Sequence, residues 1–148
     1  ISCSLVGSEM CIRDRNYFEQ YLGQFLAQVF DKINENFIRC SFYELVSRYL
    51  SSCYTFAIEQ NNSAGRSDFE MAGIPGTDYY TDDRVVEFKY YRGKDAERML
   101  SLSEPLPEHV EQVKGYAEDT KRKFPNYNVR TYVVYICSNK GWKCWEVY

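Results

Sequence analysis

The stretch Arg84-Val85-Val86-Glu87-Phe88-Lys89-Tyr90 decides how this 148-residue chain is read. Val85, Val86 and Phe88 make it an apolar, partly β-branched strand. Strand side chains alternate between faces, so Glu87 and Lys89 share one face and Phe88 takes the other. An acid and a lysine in such a strand sit in low-dielectric surroundings and need a partner or a chemical task. Upstream, Gly65-Arg66-Ser67-Asp68 reads as a turn entering a second strand. On an antiparallel neighbour the Asp68 side chain can lie beside Glu87. Two carboxylates that close repel one another unless a cation joins them, so a divalent metal is their natural partner. A salt bridge of Lys89 to Glu87 or Asp68 is the purely structural alternative.

Outward from that strand the elements follow from periodicity. The spacing of Tyr17, Phe18, Tyr21, Leu22, Phe25, Leu26, Val29, Phe30 and Ile33 predicts an amphipathic helix over 17–34. Asn34-Glu35-Asn36 reads as a break. Ser41 and Glu44 form a capping-box pattern opening a second helix over about 41–52, with Phe42, Leu45, Val46, Tyr49 and Leu50 on its apolar face. Residues 53–59, 66–71 and 84–91 read as strands of an antiparallel meander. A short helix over 94–100 is interrupted by Ser103–Pro107, and 108–124 reads as a longer helix with Val110, Val113, Ala117 and Phe124 inward. Residues 129–137 and 142–148 form a closing hairpin. The order is ααβββαββ, a single domain without repeats.

Composition narrows the class. Hydrophobic residues make up 45% and aromatic residues 17%, which excludes a disordered chain. A net charge of −3 argues against a broad basic face, but not against a carboxylate-lined metal site. The clusters Arg92/Lys94/Arg98 and Lys121-Arg122-Lys123 read as solvated faces. No apolar run reaches the roughly 18 residues of a membrane span, so a soluble, cytoplasmic chain without a membrane partner is expected. Cys40, Cys53, Cys137 and Cys144 lack the Cys-x-x-Cys spacing of a zinc site and are expected as free thiols. His109, the sole histidine, reads as a surface residue. Residues 1–15 show no helix or strand period and resemble translated sequencing-adapter sequence. They are set aside as an artefact or tail, which makes the chain the expected C-terminal part of something longer.

One further pattern lies downstream: Gln112-Val113-Lys114-Gly115-Tyr116, whose glutamine and tyrosine are four apart and hence neighbours on a helix. The order Gly65-Arg66-x-Asp68, then Glu87-Phe88-Lys89, then Gln112-x-x-x-Tyr116 resembles the PD-(D/E)xK nuclease superfamily over roughly residues 41–137. Ser67 stands where the superfamily's name has its proline. The segment from Phe42-Tyr43-Glu44-Leu45 through Ile58-Glu59 into Asp68 is similar to bacterial nuclease domains that follow an AAA-type ATPase-like domain in one polypeptide.

The resemblance implies a restriction-endonuclease-like α/β core, a mixed sheet of αβββαβ order flanked by helices with an extra N-terminal helix. It places the nuclease-like domain at 41–148 and makes 16–40 an N-terminal helix, expected as the end of an upstream region. It implies hydrolysis of DNA with Mg²⁺, or alternatively Mn²⁺. Asp68 and Glu87 would be the metal ligands, completed by the Phe88 backbone carbonyl, with Glu59 as an outer acid or a plain edge charge. Lys89 would orient the attacking water or stabilise phosphoryl charge, or else be a snorkelling lysine. Gln112 and Tyr116 would position phosphate or water, or else lie half buried over the core. Arg66 would contact substrate phosphate or pair with a carboxylate. The alternative function is a degenerate nuclease fold serving as a nucleic-acid or partner-binding module.

Overall fold

The computed structural model describes residues 18–62 and 65–148. The expectation for residues 1–15 lies outside them. A first helix, α1, covers 18–23; α2 is Ala27–Phe30, α3 Glu35–Leu50, β1 Tyr54–Asn62, β2 Gly65–Gly73, β3 Asp82–Tyr91, α4 Gly93–Ser101, α5 Pro107–Lys123, β4 Asn128–Cys137 and β5 Gly141–Glu146.

The long N-terminal helix expected over 17–34 is divided. Gly23 ends α1, and Leu26 takes an extended backbone (φ −65, ψ 150) before α2 begins. The apolar residues still reach the core, with Phe18, Leu22, Phe30 and Ile33 buried, but in pieces that wrap around it. The next helix starts earlier than Ser41. The Asn34 side chain accepts from the Phe37 N–H at 3.0 Å, a cap worth about 1 kcal/mol, so Asn34 opens α3 rather than breaking the chain. Ser41 is a buried residue inside that helix.

The five strands form one sheet in the order β1-β2-β3-β4-β5. The β1-β2-β3 meander is antiparallel as expected, β4 joins β3 in parallel after the helical crossover, and β5 folds back antiparallel. This is a mixed α/β sheet of the restriction-endonuclease type. Gly73 fixes the exit from β2: a Cβ there would stand 1.5 Å from the Tyr79 carbonyl oxygen, so only glycine lets the long 74–81 connection fold back.

The sheet has two differently built faces. On one, Phe69, Met71, Val86, Phe88, Val134 and Ile136 pack with α1–α3, and Phe42 meets both Phe69 and Phe88 edge-on. On the other, Val133, Tyr135 and Cys137 pack with Ala96, Met99 and Val113 of α4 and α5. Register places Glu87, Lys89 and Tyr135 on this second face, under α5. Cys40, Cys137 and Cys144 are free thiols as expected, whereas Cys53 is disulfide-bonded, a pairing that cysteine spacing alone cannot reveal. No helix among the described residues is long and apolar enough to cross a membrane.

Candidate active site

The site forms where the sheet comes apart. The β2–β3 ladder ends at Phe69↔Val86, one step before Asp68 would pair with Glu87. The β1–β2 ladder also skips one position: Ile58 pairs with Phe69 and Gln60 with Ser67, but Glu59 and Asp68 between them do not pair. Glu59 there has φ 56, a strained left-handed conformation for a non-glycine residue. The Phe88 N–H, having lost its strand partner, donates instead to Asp68 Oδ2 at 2.9 Å. A strand residue presents its N–H and C=O on the same edge, so the Phe88 carbonyl faces this notch too.

Glu87 is 1% exposed and the Asp68 residue 6%. One Glu87 oxygen, Oε1, accepts from Lys89 Nζ at 2.6 Å and Gln112 Nε2 at 2.8 Å. The other, Oε2, is buried without a hydrogen-bond partner among the described residues. Burial first, then the nearby Asp68 charge, pushes the Glu87 carboxyl up to about 7, against the opposing pull of Lys89. Burial disfavours the Lys89 ammonium, but its bond to Glu87 outweighs that and holds its pKa above the ordinary value.

Gln112 also reaches the Tyr116 hydroxyl at 2.8 Å, and that hydroxyl donates to the Arg66 carbonyl at 2.6 Å. Tyr116 lies under the glycine turn, its hydroxyl 3.5 Å from where a Gly65 Cβ would be. Gly65 itself has φ 129, a conformation that suits glycine. One chain of contacts thus ties the turn before Asp68 to α5 and to Glu87. The helical i,i+4 spacing and the Glu-x-Lys alternation place these side chains together.

The remaining predicted residues stand further out. Glu59 is half exposed and ion-paired rather than open, to Arg39 at 2.9 Å and Arg66 at 3.5 Å. Arg66 is exposed and pairs with that carboxylate, the second of its two expected readings. His109 is not a plain surface residue. It is half buried one turn before Gln112, with Nδ1 2.6 Å from the Tyr135 hydroxyl.

Two residues of α3 escaped the sequence reading. Arg39, 9% exposed, bonds Asp68 Oδ1 at 2.5 Å and reaches Asn36 at 3.3 Å besides Glu59. Glu35 lies 3.9 Å from Lys89, and burial raises its carboxyl pKa. Both were hidden by starting that helix at Ser41. An Asn34 cap would have placed Glu35 and Arg39 four apart on one helical face.

The donor set fits a hard divalent cation. The unpartnered Glu87 oxygen and the Phe88 carbonyl on the same edge are oxygen ligands, and Asp68 would add a third by exchanging its bond to Arg39 or to the Phe88 N–H, with water completing the shell of Mg²⁺. No group of three or more histidine, cysteine or acidic side chains that could hold a metal occurs among the described residues.

A family model described as the PD-(D/E)XK nuclease superfamily matches residues 33–146. That span starts within two residues of α3 and ends with β5. No curated protein and no solved structure is significantly similar to the chain.

Proposed function

This chain belongs to the PD-(D/E)XK nuclease superfamily, and from that premise we propose that it is a Mg²⁺-dependent nuclease domain hydrolysing phosphodiester bonds in DNA. The observation that carries the reading is the buried Glu87 Oε2, which has no hydrogen-bond partner among the described residues and stands next to Asp68. A buried carboxylate oxygen left so is costly, and a bound cation removes the cost. When bound, such an ion polarises a phosphoryl oxygen and lowers the pKa of a coordinated water. Asp68 and Glu87 would hold it, with the Phe88 carbonyl.

The chain's own residues do the rest. Lys89, held charged by Glu87, offers a preorganised positive group for charge developing on phosphoryl oxygens. Gln112 fixes the Glu87 rotamer by holding Oε1, which leaves Oε2 for the cation. Tyr116 braces Gln112 against the Arg66 carbonyl, so the turn that carries Asp68 keeps its distance from Glu87. Arg66 is exposed and well placed to meet a substrate phosphate beyond Glu59.

A second reading is favoured by one contact: Arg39 already neutralises Asp68 Oδ1. On that reading the domain is a degenerate nuclease fold that binds nucleic acid or a partner without cutting. Incubation with supercoiled and linear DNA separates the two. Cleavage with Mg²⁺ or Mn²⁺ that vanishes in EDTA and in Asp68→Ala and Lys89→Ala supports the nuclease. Cleavage that survives EDTA or either substitution contradicts it, and DNA binding without cleavage supports the second reading.

A further inference from the structure

Arg39 stands where the sheet comes apart. Glu59 and Asp68, the two positions that the β1–β2 ladder skips, are the two carboxylates that its guanidinium joins. Nη1 meets Asp68 Oδ1 at 2.5 Å and Nη2 meets Glu59 Oε1 at 2.9 Å. Nη2 also donates to Asn36 Oδ1 at 3.3 Å. One cation is thus seated among oxygens from α3, β1 and β2, the donor type that a hard divalent ion takes.

The seat is rigid. Ile38 beside it is fully buried, and Phe42, three residues on, meets Phe69 and Phe88 edge-on at 5.1 and 5.2 Å. Those two rings directly follow Asp68 and Glu87 in the chain, so α3 is fastened to both strands beside their carboxylates. Arg39 is itself too deep to meet a substrate, and it acts through Asp68 as a positioning residue. With Asp68 Oδ1 committed to Arg39, Oδ2 is the oxygen left for an ion shared with Glu87, in exchange for its bond to the Phe88 N–H.

The charges around the notch limit what else fits. Besides Arg39, Arg66 lies 3.5 Å from Glu59, and Lys89 lies 2.6 Å from Glu87 and 3.9 Å from Glu35. Glu35 also feels the charges of Asp68 and Arg39. Four carboxylates against three cations leave the ionised group one charge negative. A single divalent ion offsets that, whereas a second would leave a strongly positive centre. In two-ion phosphodiesterase sites the second ion stands about 4 Å from the first. Here the far side of Asp68 is taken by a planar, permanently charged guanidinium.

We propose that Arg39 is a resident cation of the candidate active site, seated between Asp68 and Glu59 in place of a second divalent ion, and that it restricts the site to one ion. The inference deepens the nuclease reading and rests on it for the ion that Asp68 and Glu87 would hold.

Titration of Mn²⁺ into the metal-free full chain at pH 8, followed by calorimetry and electron paramagnetic resonance, tests it without reference to cleavage. The wild type binds one ion and gives the spectrum of isolated Mn²⁺. Arg39→Gln removes the charge and keeps a polar side chain. It binds two ions, whose spectra couple through the shared Asp68, and adding Glu59→Gln returns the count to one. An arginine that merely braced the fold would cost stability on removal without changing the ion count. Arg39→Lys keeps a cation in the seat and binds one ion, and with the wild type it carries the test if Arg39→Gln does not fold. Two ions in the wild type or in Arg39→Lys, or a single ion in folded Arg39→Gln, overturns the inference. One ion in a wild type that does not cut DNA would sink the nuclease reading and leave the place of Arg39 standing. Two ions in a wild type that cuts would do the reverse.

Discussion

Strand β3 carries two buried charge clusters, and they are built on opposite rules. At its start, Asp82 is closed. Its Oδ2 accepts from the Tyr54 hydroxyl at 2.7 Å and from Arg84 Nε and Arg84 NH2 at 2.9 and 2.8 Å, and its Oδ1 accepts from Asn128 at 3.2 Å. The Arg84 guanidinium also lies over the Tyr54 ring at 5.7 Å. Five residues further on, Glu87 is open: one oxygen has two donors and the other none among the described residues. Both clusters sit in the same strand at similar depth, so burial does not distinguish them. A closed cluster ties elements together. An unpartnered carboxylate oxygen is not by itself a binding site, since Asp83 Oδ1 in the same strand is also buried without a partner among the described residues; what sets Glu87 apart is Lys89 on one oxygen and its place where the β2–β3 ladder ends.

The largest effect should come from opening the closed cluster. Arg84→Met leaves Asp82 buried without its cation and should cost about 3–5 kcal/mol of folding stability, read by urea denaturation. Cleavage per folded molecule should not change. A loss of activity with stability intact would break the comparison.

Glu87→Gln should show the reverse behaviour. It keeps the shape and removes the charge, so Mg²⁺-dependent DNA cleavage should drop about a hundredfold or more while the protein stays folded, as gel assays and circular dichroism would show.

The third prediction concerns pH in metal-free protein. Burial and Asp68 raise the folded Glu87 carboxyl to about 7 from an ordinary 4.5. The unfolded chain therefore releases this proton first, and stability falls as pH rises from about 4.5 to about 7. Glu87→Gln should lose its share of that slope. Asp83 titrates in the same window, raised to about 7 by burial and then by Glu70, so Asp83→Asn should remove a second share without affecting cleavage. A slope unchanged in both variants would contradict the assignment.

The smallest effect belongs to Tyr116→Phe, which removes the bond to the Arg66 carbonyl. It should cost about 1 kcal/mol of stability and reduce cleavage only a few-fold, against the much larger loss in Glu87→Gln.

Much of this arrangement is legible in the sequence because it depends on local periods. Alternation puts Glu87 and Lys89 on one face, the i,i+4 rule aligns Gln112 with Tyr116, and the turn residues at Asn61–Gly65 and Gly73–Gly76 punctuate the meander. What escaped depends on tertiary context. Arg39 meets Asp68 across 29 residues of chain, and no local pattern marks an arginine on an apolar helix as a carboxylate's partner. Asn34 caps α3 although its sequence reads as a break, because the same side chain that starts a helix also favours turns. The first helix divides between Gly23 and Leu26, and the glycine that ends α1 is a weak signal inside an otherwise continuous apolar period. The separation of β2 from β3 after Phe69 sets the notch itself, yet strand propensity runs on through Asp68 without a signal.

The central claim is that Asp68 and Glu87 form one open cation site. Calorimetric titration of Mn²⁺ into the metal-free protein at pH 8, where the Glu87 carboxyl is ionised, tests it most directly. The account predicts one bound ion per chain in the wild type, none in Asp68→Ala or Glu87→Gln, and undiminished binding in Arg84→Met molecules that remain folded. Absence of binding in the wild type, or equal binding in Glu87→Gln, would contradict it.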